Sequence, residues 1–271
     1  MSERELYAAM RRLGSVVVAF SGGVDSAVVL AAAVRELGDR ALAVTAASPS
    51  VAQGELELAV ALARGLGAAH VVVETREFED PRYRANPVNR CFYCKEELYA
   101  RLSAIALERG FDVVADGANA DDGRAPLDRR PGRAAAAAHG VRSPLAELGI
   151  GKEQVRAIAA RLGLSVWDKP ATPCLSSRVP YGTRIELDDL RRIDLAERYL
   201  RASGFATVRV RHYGTLARVE VPPEDVERLR AMRGRVERAL GAVGYREIDV
   251  DPRGYRVGSL NESSASQVMG G

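Results

Sequence analysis

An apolar run at residues 16–20 leads directly into Ser21-Gly22-Gly23-Val24-Asp25-Ser26, and helical spacing follows from residue 26 to 37. A strand that turns on two adjacent glycines into a helix constrains the chain strongly. The glycines let the backbone bend sharply and let its N–H groups approach an anion closely. The helix adds the positive end of its dipole. Ser21 and Ser26 can donate hydroxyl hydrogen bonds, and Asp25 can hold a metal ion or orient the loop. The bland alternative is a Ser/Gly-rich turn capping an ordinary helix, and the strand–turn–helix context weighs against it. No Lys follows the glycines, so the Walker pattern fails, and Gly65-Leu66-Gly67 completes no dinucleotide fingerprint. A pyrophosphate-binding loop is the reading that fits.

Short apolar runs and helical stretches alternate through the first two-thirds of the chain. Residues 16–20, 41–47, 70–74 and 112–116 read as strands, and 16–20 and 71–73 are apolar enough for strands buried on both faces. Helices are expected over 26–37, 51–65 (with Ser50 as N-cap), 96–109 and 152–162, with Gly38 and Gly110 as stops. Alternating strands and helices imply a doubly wound parallel sheet, which binds ligands beyond the carboxyl ends of its strands. Residues 123–140 look like a mobile surface loop, a short strand is expected near 165–167, and 168–183, with three prolines, reads as a structured loop or linker.

From residue 184 the rhythm changes: a helix at 187–202 closed by Gly204, alternation at 207–212 and 216–221, a helix at 224–240, and alternation at 245–250. That order suggests a small antiparallel, ferredoxin-like α+β unit. The domains are therefore expected at 1–183 and 184–258, with 259–271 a disordered tail.

Composition narrows the function classes. Apolar residues make up 47% of the 271, and 39 basic against 36 acidic residues leave a net charge of +3, too balanced to argue for a nucleic-acid protein. Neither a signal peptide nor a membrane-spanning stretch is visible, so a cytoplasmic protein with no membrane or nucleic-acid partner is expected. Three cysteines without a secretory context do not make a disulfide framework.

The hexapeptide Ser21–Ser26 resembles the signature of PP-loop ATP pyrophosphatases, the adenine nucleotide alpha hydrolase-like fold. The resemblance implies that ATP is cleaved between its α and β phosphates and that AMP is placed on a substrate oxygen, to be displaced by nitrogen or sulfur. ATP with Mg²⁺ is expected at Ser21, Gly22, Gly23, Asp25 and Ser26, and at Gly117 in Asp116-Gly117-Ala118-Asn119-Ala120-Asp121-Asp122, beyond the fourth strand.

Cys91-Phe92-Tyr93-Cys94 has chelating spacing, and Cys174 lies in Pro173-Cys174-Leu175-Ser176-Ser177-Arg178. Buried inert thiols, a redox dithiol, a zinc site short of a fourth ligand, and three ligands of a [4Fe–4S] cluster are all compatible with this pattern. The spacing does not choose among them. Residues 86–95, 116–122 and 173–178, together with Val208-Arg209-Val210-Arg211-His212, resemble the LarE family, ATP-dependent sulfur transferases of nickel-pincer nucleotide biosynthesis. The resemblance implies adenylation of the carboxylates of pyridinium-3,5-dicarboxylate mononucleotide and their conversion to thiocarboxylates. Members with only the cysteine matching Cys174 sacrifice its sulfur. Members with all three, as here, are implied to bind a [4Fe–4S] cluster through Cys91, Cys94 and Cys174.

Alternation puts Arg209 and Arg211 on one face of a strand and Val208 and Val210 on the other. A solvated polar face would look the same, and the resemblance tips these arginines towards the substrate's phosphate and carboxylates. Arg178 is a second candidate for the same anion, and Glu197 a weaker one on a helix where most acids are solvated. Cys174 and Asp25 are the expected catalytic residues. A homo-oligomer is expected by analogy with the family, and the sulfur donor is left open. A PP-loop tRNA thiolase, which would need a basic stripe or an RNA-binding module, and a silent nucleotide-binding regulator are the alternatives.

Overall fold

Four parallel strands, β1 (Val16–Ala19), β2 (Ala41–Ala47), β3 (Ala69–Glu74) and β4 (Val113–Ala115), lie in the order β3-β2-β1-β4. Val16 is level with Ala41 on one side and Val113 on the other. The structure is a computed structural model and describes residues 3–123 and 130–256. These form two units: one runs to Tyr83 and from Asn89 to Thr172, and the other takes Arg84–Val88 and the chain from Pro173. Helices in the first stretch are α1 (Glu3–Arg12), α2 (Val24–Leu37), α3 (Glu55–Gly65), α4 (Pro81–Arg84), α5 (Arg90–Arg109), α6 (Gly132–Ala138), α7 (Pro144–Glu147) and α8 (Lys152–Arg161).

Period-two alternation divides the strand residues between two cores. Val16, Val18, Ala41, Ala43 and Ala115 pack with Leu6 and Met10 of α1, Leu30 of α2 and Ile158 of α8. Val17, Ala19, Leu42, Val44 and Val114 pack with Tyr99, Leu102 and Ala106 of α5 and with Ala135 and Ala136 of α6. The sheet is thus covered on both faces, as a doubly wound fold requires. From β1 the chain steps outward through β2 to β3, then returns to lay β4 on the other side of β1. The order reverses between β1 and β4, so the loops leaving those two strands flank the crevice where such folds bind ligands.

Several local expectations are corrected. β3 is an edge strand and is half-exposed, with Val72 at 42%, so its apolar run is not buried on both faces. The second helix starts at Glu55 behind a left-handed Gly54; Ser50 instead hydrogen-bonds Ser48. Residues 132–138 are helix α6, because the alanines taken for a loop fill the core under β4; residues 124–129 of the same segment lie outside the described residues. Turns, not a strand, occupy 165–167. The third helix begins at Arg90 rather than near 96, which puts both of its cysteines on a helix.

The second unit contains α9 (Leu187–Ala202), β5 (Arg209–Tyr213), β6 (Leu216–Glu220), α10 (Val226–Ala231), α11 (Arg233–Ala242) and β7 (Glu247–Val250). Gly204, with φ 95°, follows α9 as expected. The helix expected over 224–240 is broken into a 3-10 turn and two helices. The sheet order is β5-β6-β7, with β5 and β6 antiparallel and β6 and β7 parallel. The sheet is therefore mixed rather than antiparallel. It is also not ferredoxin-like, because the helix-linked β6 and β7 are neighbours instead of straddling a third strand. Val208, Val210, Ala217 and Val219 face a core with Leu200, Leu229 and Leu240. The segment 259–271, read as a tail, lies outside the described residues.

Candidate functional site

The phosphate loop is held by its own hydroxyls. Ser26 Oγ donates to the Gly23 carbonyl (3.0 Å) and accepts from the Ser21 N–H (3.3 Å), and the Ser21 hydroxyl lies 3.3 Å from Ser26 Oγ. Gly22 has φ 71°, and a Cβ there would sit 3.0 Å from Ala59 Cβ, so the turn has room for glycine only. The next turn of α2 meets the β4 loop just as closely. A Cβ on Gly117 would lie 2.6 Å from the Ser26 nitrogen, so glycine is what lets the two loops touch.

The β4 loop also fixes Asp25. Asn119 Nδ2 donates to Asp25 Oδ1 (3.2 Å), while Lys152 Nζ, at the start of α8, is ion-paired with Oδ2. Asp121 caps the same helix by accepting from the Lys152 N–H (2.7 Å). Asp116 is buried and accepts from the Tyr99 hydroxyl (2.7 Å) and the Ser143 hydroxyl (2.8 Å). Burial, reinforced by the Asp116 charge, pushes the Tyr99 hydroxyl above its ordinary range, so Tyr99 stays a proton donor. The predicted loop residues Ser21, Gly22, Gly23, Asp25, Ser26 and Gly117 are thus gathered at one place. Lys152 and Tyr99 were missed. Lys152 carried a signal: a lysine in the first turn of a helix opposes the dipole, so another group must hold it there.

In the second unit the four predicted substrate residues are drawn together, but towards one another. Arg178 and Glu197 have no exposed side-chain surface and form a two-pronged ion pair (2.8 and 2.9 Å). The other nitrogen of the Arg178 guanidinium, Nη1, donates to the Pro173 and Cys174 carbonyls (2.6 and 3.0 Å) and to Ser177 Oγ (3.0 Å). Arg211 pairs with Glu220 (2.9 Å) and donates to the Ser177 carbonyl (2.9 Å). Two arginines therefore clamp the backbone that carries Cys174. Neither Arg209 nor Arg211 is on a solvated face, since both are 6% exposed, and Glu197 is no solvated acid.

Burial pushes the Glu197 carboxyl up, but the charges of Arg178, Arg201 and Arg209 outweigh it and hold the group below its ordinary range. Three guanidinium groups thus bear on one carboxylate. Burial and the Arg178 charge in turn pull Arg209 down, and Tyr255 lies over its guanidinium (5.3 Å). This surplus of positive charge suits an anion.

The three cysteines form no disulfide. Cys91 and Cys94 are one turn apart in the first turns of α5, so they share a side of the helix. Cys174 belongs to the other unit and precedes the 3-10 turn Leu175–Arg178. Among the described residues no three His, Cys, Asp or Glu converge as a metal-binding group. No helix among them is long and apolar enough to cross a membrane.

The asparagine synthase family model matches residues 4–146, the part of the chain that carries the phosphate loop. A pyridinium-3,5-bisthiocarboxylic acid mononucleotide synthase of Lactiplantibacillus plantarum is 39% identical over 95% of this chain and 93% of its own. The chain belongs to the LarE family. An uncharacterised protein of Synechocystis is 47% identical over 92% of both chains. One from Methanocaldococcus jannaschii is 26% identical over 89% of this chain and 90% of its own. As a LarE-family member with a PP-loop domain, the protein is an ATP-using sulfurtransferase.

Proposed function

We propose that this protein adenylates the carboxylates of pyridinium-3,5-dicarboxylate mononucleotide with ATP, releases pyrophosphate, and lets sulfur displace AMP to leave thiocarboxylates. The observation that carries the reading is the likeness to the bisthiocarboxylic acid synthase over 95% of the chain, because it runs through both units. The phosphate-loop domain alone would imply only the use of ATP.

The residues suggest a division of labour. A substrate carboxylate oxygen attacks the α-phosphorus of ATP and pyrophosphate leaves. The N–H groups at the start of α2 and the hydroxyls of Ser21 and Ser26 receive the leaving charge. Asp25 would hold Mg²⁺, and Lys152, released from Asp25, supplies the cation that a Walker lysine supplies in other folds. The arginine surplus around Glu197, with Arg209 and Arg211, favours the substrate's phosphate. Arg178 acts through the loop it holds and is a positioning residue.

Sulfur delivery is assigned to the three cysteines. Three thiolates are a soft donor set that suits an iron–sulfur cluster, and Cys91, Cys94 and Cys174 would hold it. Such a cluster would leave one iron open to carry an extra sulfide. The protein is read as a homo-oligomer of the cytoplasm, on family analogy.

The test is anaerobic incubation with ATP and the dicarboxylate mononucleotide, following pyrophosphate, AMP and thiocarboxylate by mass spectrometry. The expected result is pyrophosphate and AMP release matched to thiocarboxylate formed, by a protein with about four irons per chain. No pyrophosphate release with this substrate would overturn the proposal. An iron-free protein that thiolates once and loses the mass of H₂S from Cys174 would instead make that cysteine the sulfur source.

A further inference from the structure

We infer that the first unit carries a second, small-ligand site, a cleft that binds an organic primary ammonium ion with Glu77 as acceptor. The inference does not depend on the reaction proposed above. The cleft, about 240 Å³, lies between the 3-10 turn Glu77–Glu79 with the residues after it and the first turns of α5. That volume is below the usual range for drug-sized ligands, so it suits neither ATP nor a mononucleotide.

Its lining contains Arg76, Glu77, Asp80, Arg82, Glu96 and Glu97, four carboxylates against two guanidinium groups. Asp80 is taken by a two-pronged contact from Arg82 (2.8 and 3.1 Å), and Glu97 accepts the Arg76 N–H (3.1 Å). Glu77 differs. It is 2% exposed, its Oε1 accepts the Ser48 hydroxyl, and Ser48 is in turn 2.8 Å from the Ser50 hydroxyl. Its Oε2 is buried with no hydrogen-bond partner among the described residues.

A buried carboxylate oxygen left without a donor is unfavourable unless something arrives to supply one. The lining's negative balance selects a cation. Because no three His, Cys, Asp or Glu converge on a metal position among the described residues, an N–H donor suits the site better than a metal ion. A primary ammonium offers both charge and hydrogens. Arg76 and Arg82 keep 67% and 62% of their side-chain surface exposed, so both can shift as a ligand enters.

The test titrates the full chain with ethylammonium, propionate and tetramethylammonium, read by ligand-observed NMR and calorimetry. Ethylammonium alone should bind, and Glu77→Gln should weaken it roughly tenfold or more, the loss of one charge-assisted hydrogen bond. Equal binding of ethylammonium and tetramethylammonium would reduce the site to a patch of charge. Absence of ethylammonium binding to the unaltered chain, or unchanged affinity in a folded Glu77→Gln protein, would overturn the inference. Should that variant not fold, Glu96→Gln tests the charge balance and should weaken ethylammonium binding a few-fold; no change would count against it.

Discussion

The two regions that gather the candidate residues hold their charges in opposite ways. Beside the phosphate loop, Asp25 and Lys152 keep 22% and 36% of their side-chain surface in contact with solvent. In the second unit, Arg178 and Glu197 keep none. A half-exposed pair can exchange partners when a metal ion or phosphate arrives, because water covers the exchange. A buried pair cannot do so without stranding a charge. The first region is therefore suited to taking up and releasing a ligand, and the Arg178 pair to holding the Cys174 loop still.

The largest effect that tests this contrast is on stability. Arg178→Ala should destabilise the protein by about 3–5 kcal/mol, because Glu197 loses its two-pronged partner inside the fold. Urea unfolding measures it. A loss near zero, with substrate binding abolished, would make Arg178 an anion hook after all and erase the contrast. Gly117→Ala should act on turnover instead. Its Cβ would collide with the Ser26 nitrogen and displace the loop, so pyrophosphate release should fall roughly a hundredfold while the protein still folds. Unchanged release would mean that the close approach of the two loops has no part in ATP use.

Lys152→Ala comes next. The exposed pair contributes less than about 1 kcal/mol to stability, so unfolding should barely change. Pyrophosphate release should drop roughly tenfold or more if the lysine meets phosphate, the worth of a charge-assisted hydrogen bond. A variant that unfolds readily but turns over normally would place Lys152 with the structural pairs of the second unit.

The same contrast explains what could be read from the chain. The loop at Ser21–Ser26 is contiguous, and its chemistry lies in backbone shape, so glycine and serine positions reveal it directly. That β1 to β4 run parallel followed from apolar runs separated by helices. Lys152 did not, because it is 127 residues from Asp25 and the packing of α8 against α2, with the β4 loop, brings them together. Arg178, Glu197, Arg209 and Arg211 were found as residues but not as a network. Their burial depends on the pairing of β5 with β6, which sets Arg209 opposite Glu220, and on α9 turning Glu197 inward. The mixed sheet was missed for a related reason: alternation identifies strands but says nothing of whether neighbours run parallel.

The smallest expected effect concerns pH and the stiffness of the second unit. His212, on β5, is 2% exposed, with Nδ1 3.2 Å from the Tyr245 hydroxyl and Nε2 3.3 Å from Asp189. Burial holds its pKa below the ordinary histidine value; Asp189 opposes this and the Arg192 charge adds to it. The fold therefore favours the neutral ring. Its contribution to stability is fully present above the unfolded value of about 6.5 and is lost as pH falls through the lowered folded value. His70 on β3 is lowered by burial as well and acts with the same sign. Urea unfolding at pH 7.5 and 5.5 should show a loss that shrinks in His212→Gln, with the remainder due in part to His70. An NMR titration placing the His212 pKa above the ordinary value would mean that the Asp189 carboxylate outweighs burial. The second unit would then tolerate a buried charge and rearrange around it, and the division between an exchanging site and a rigid one would fail at its rigid end.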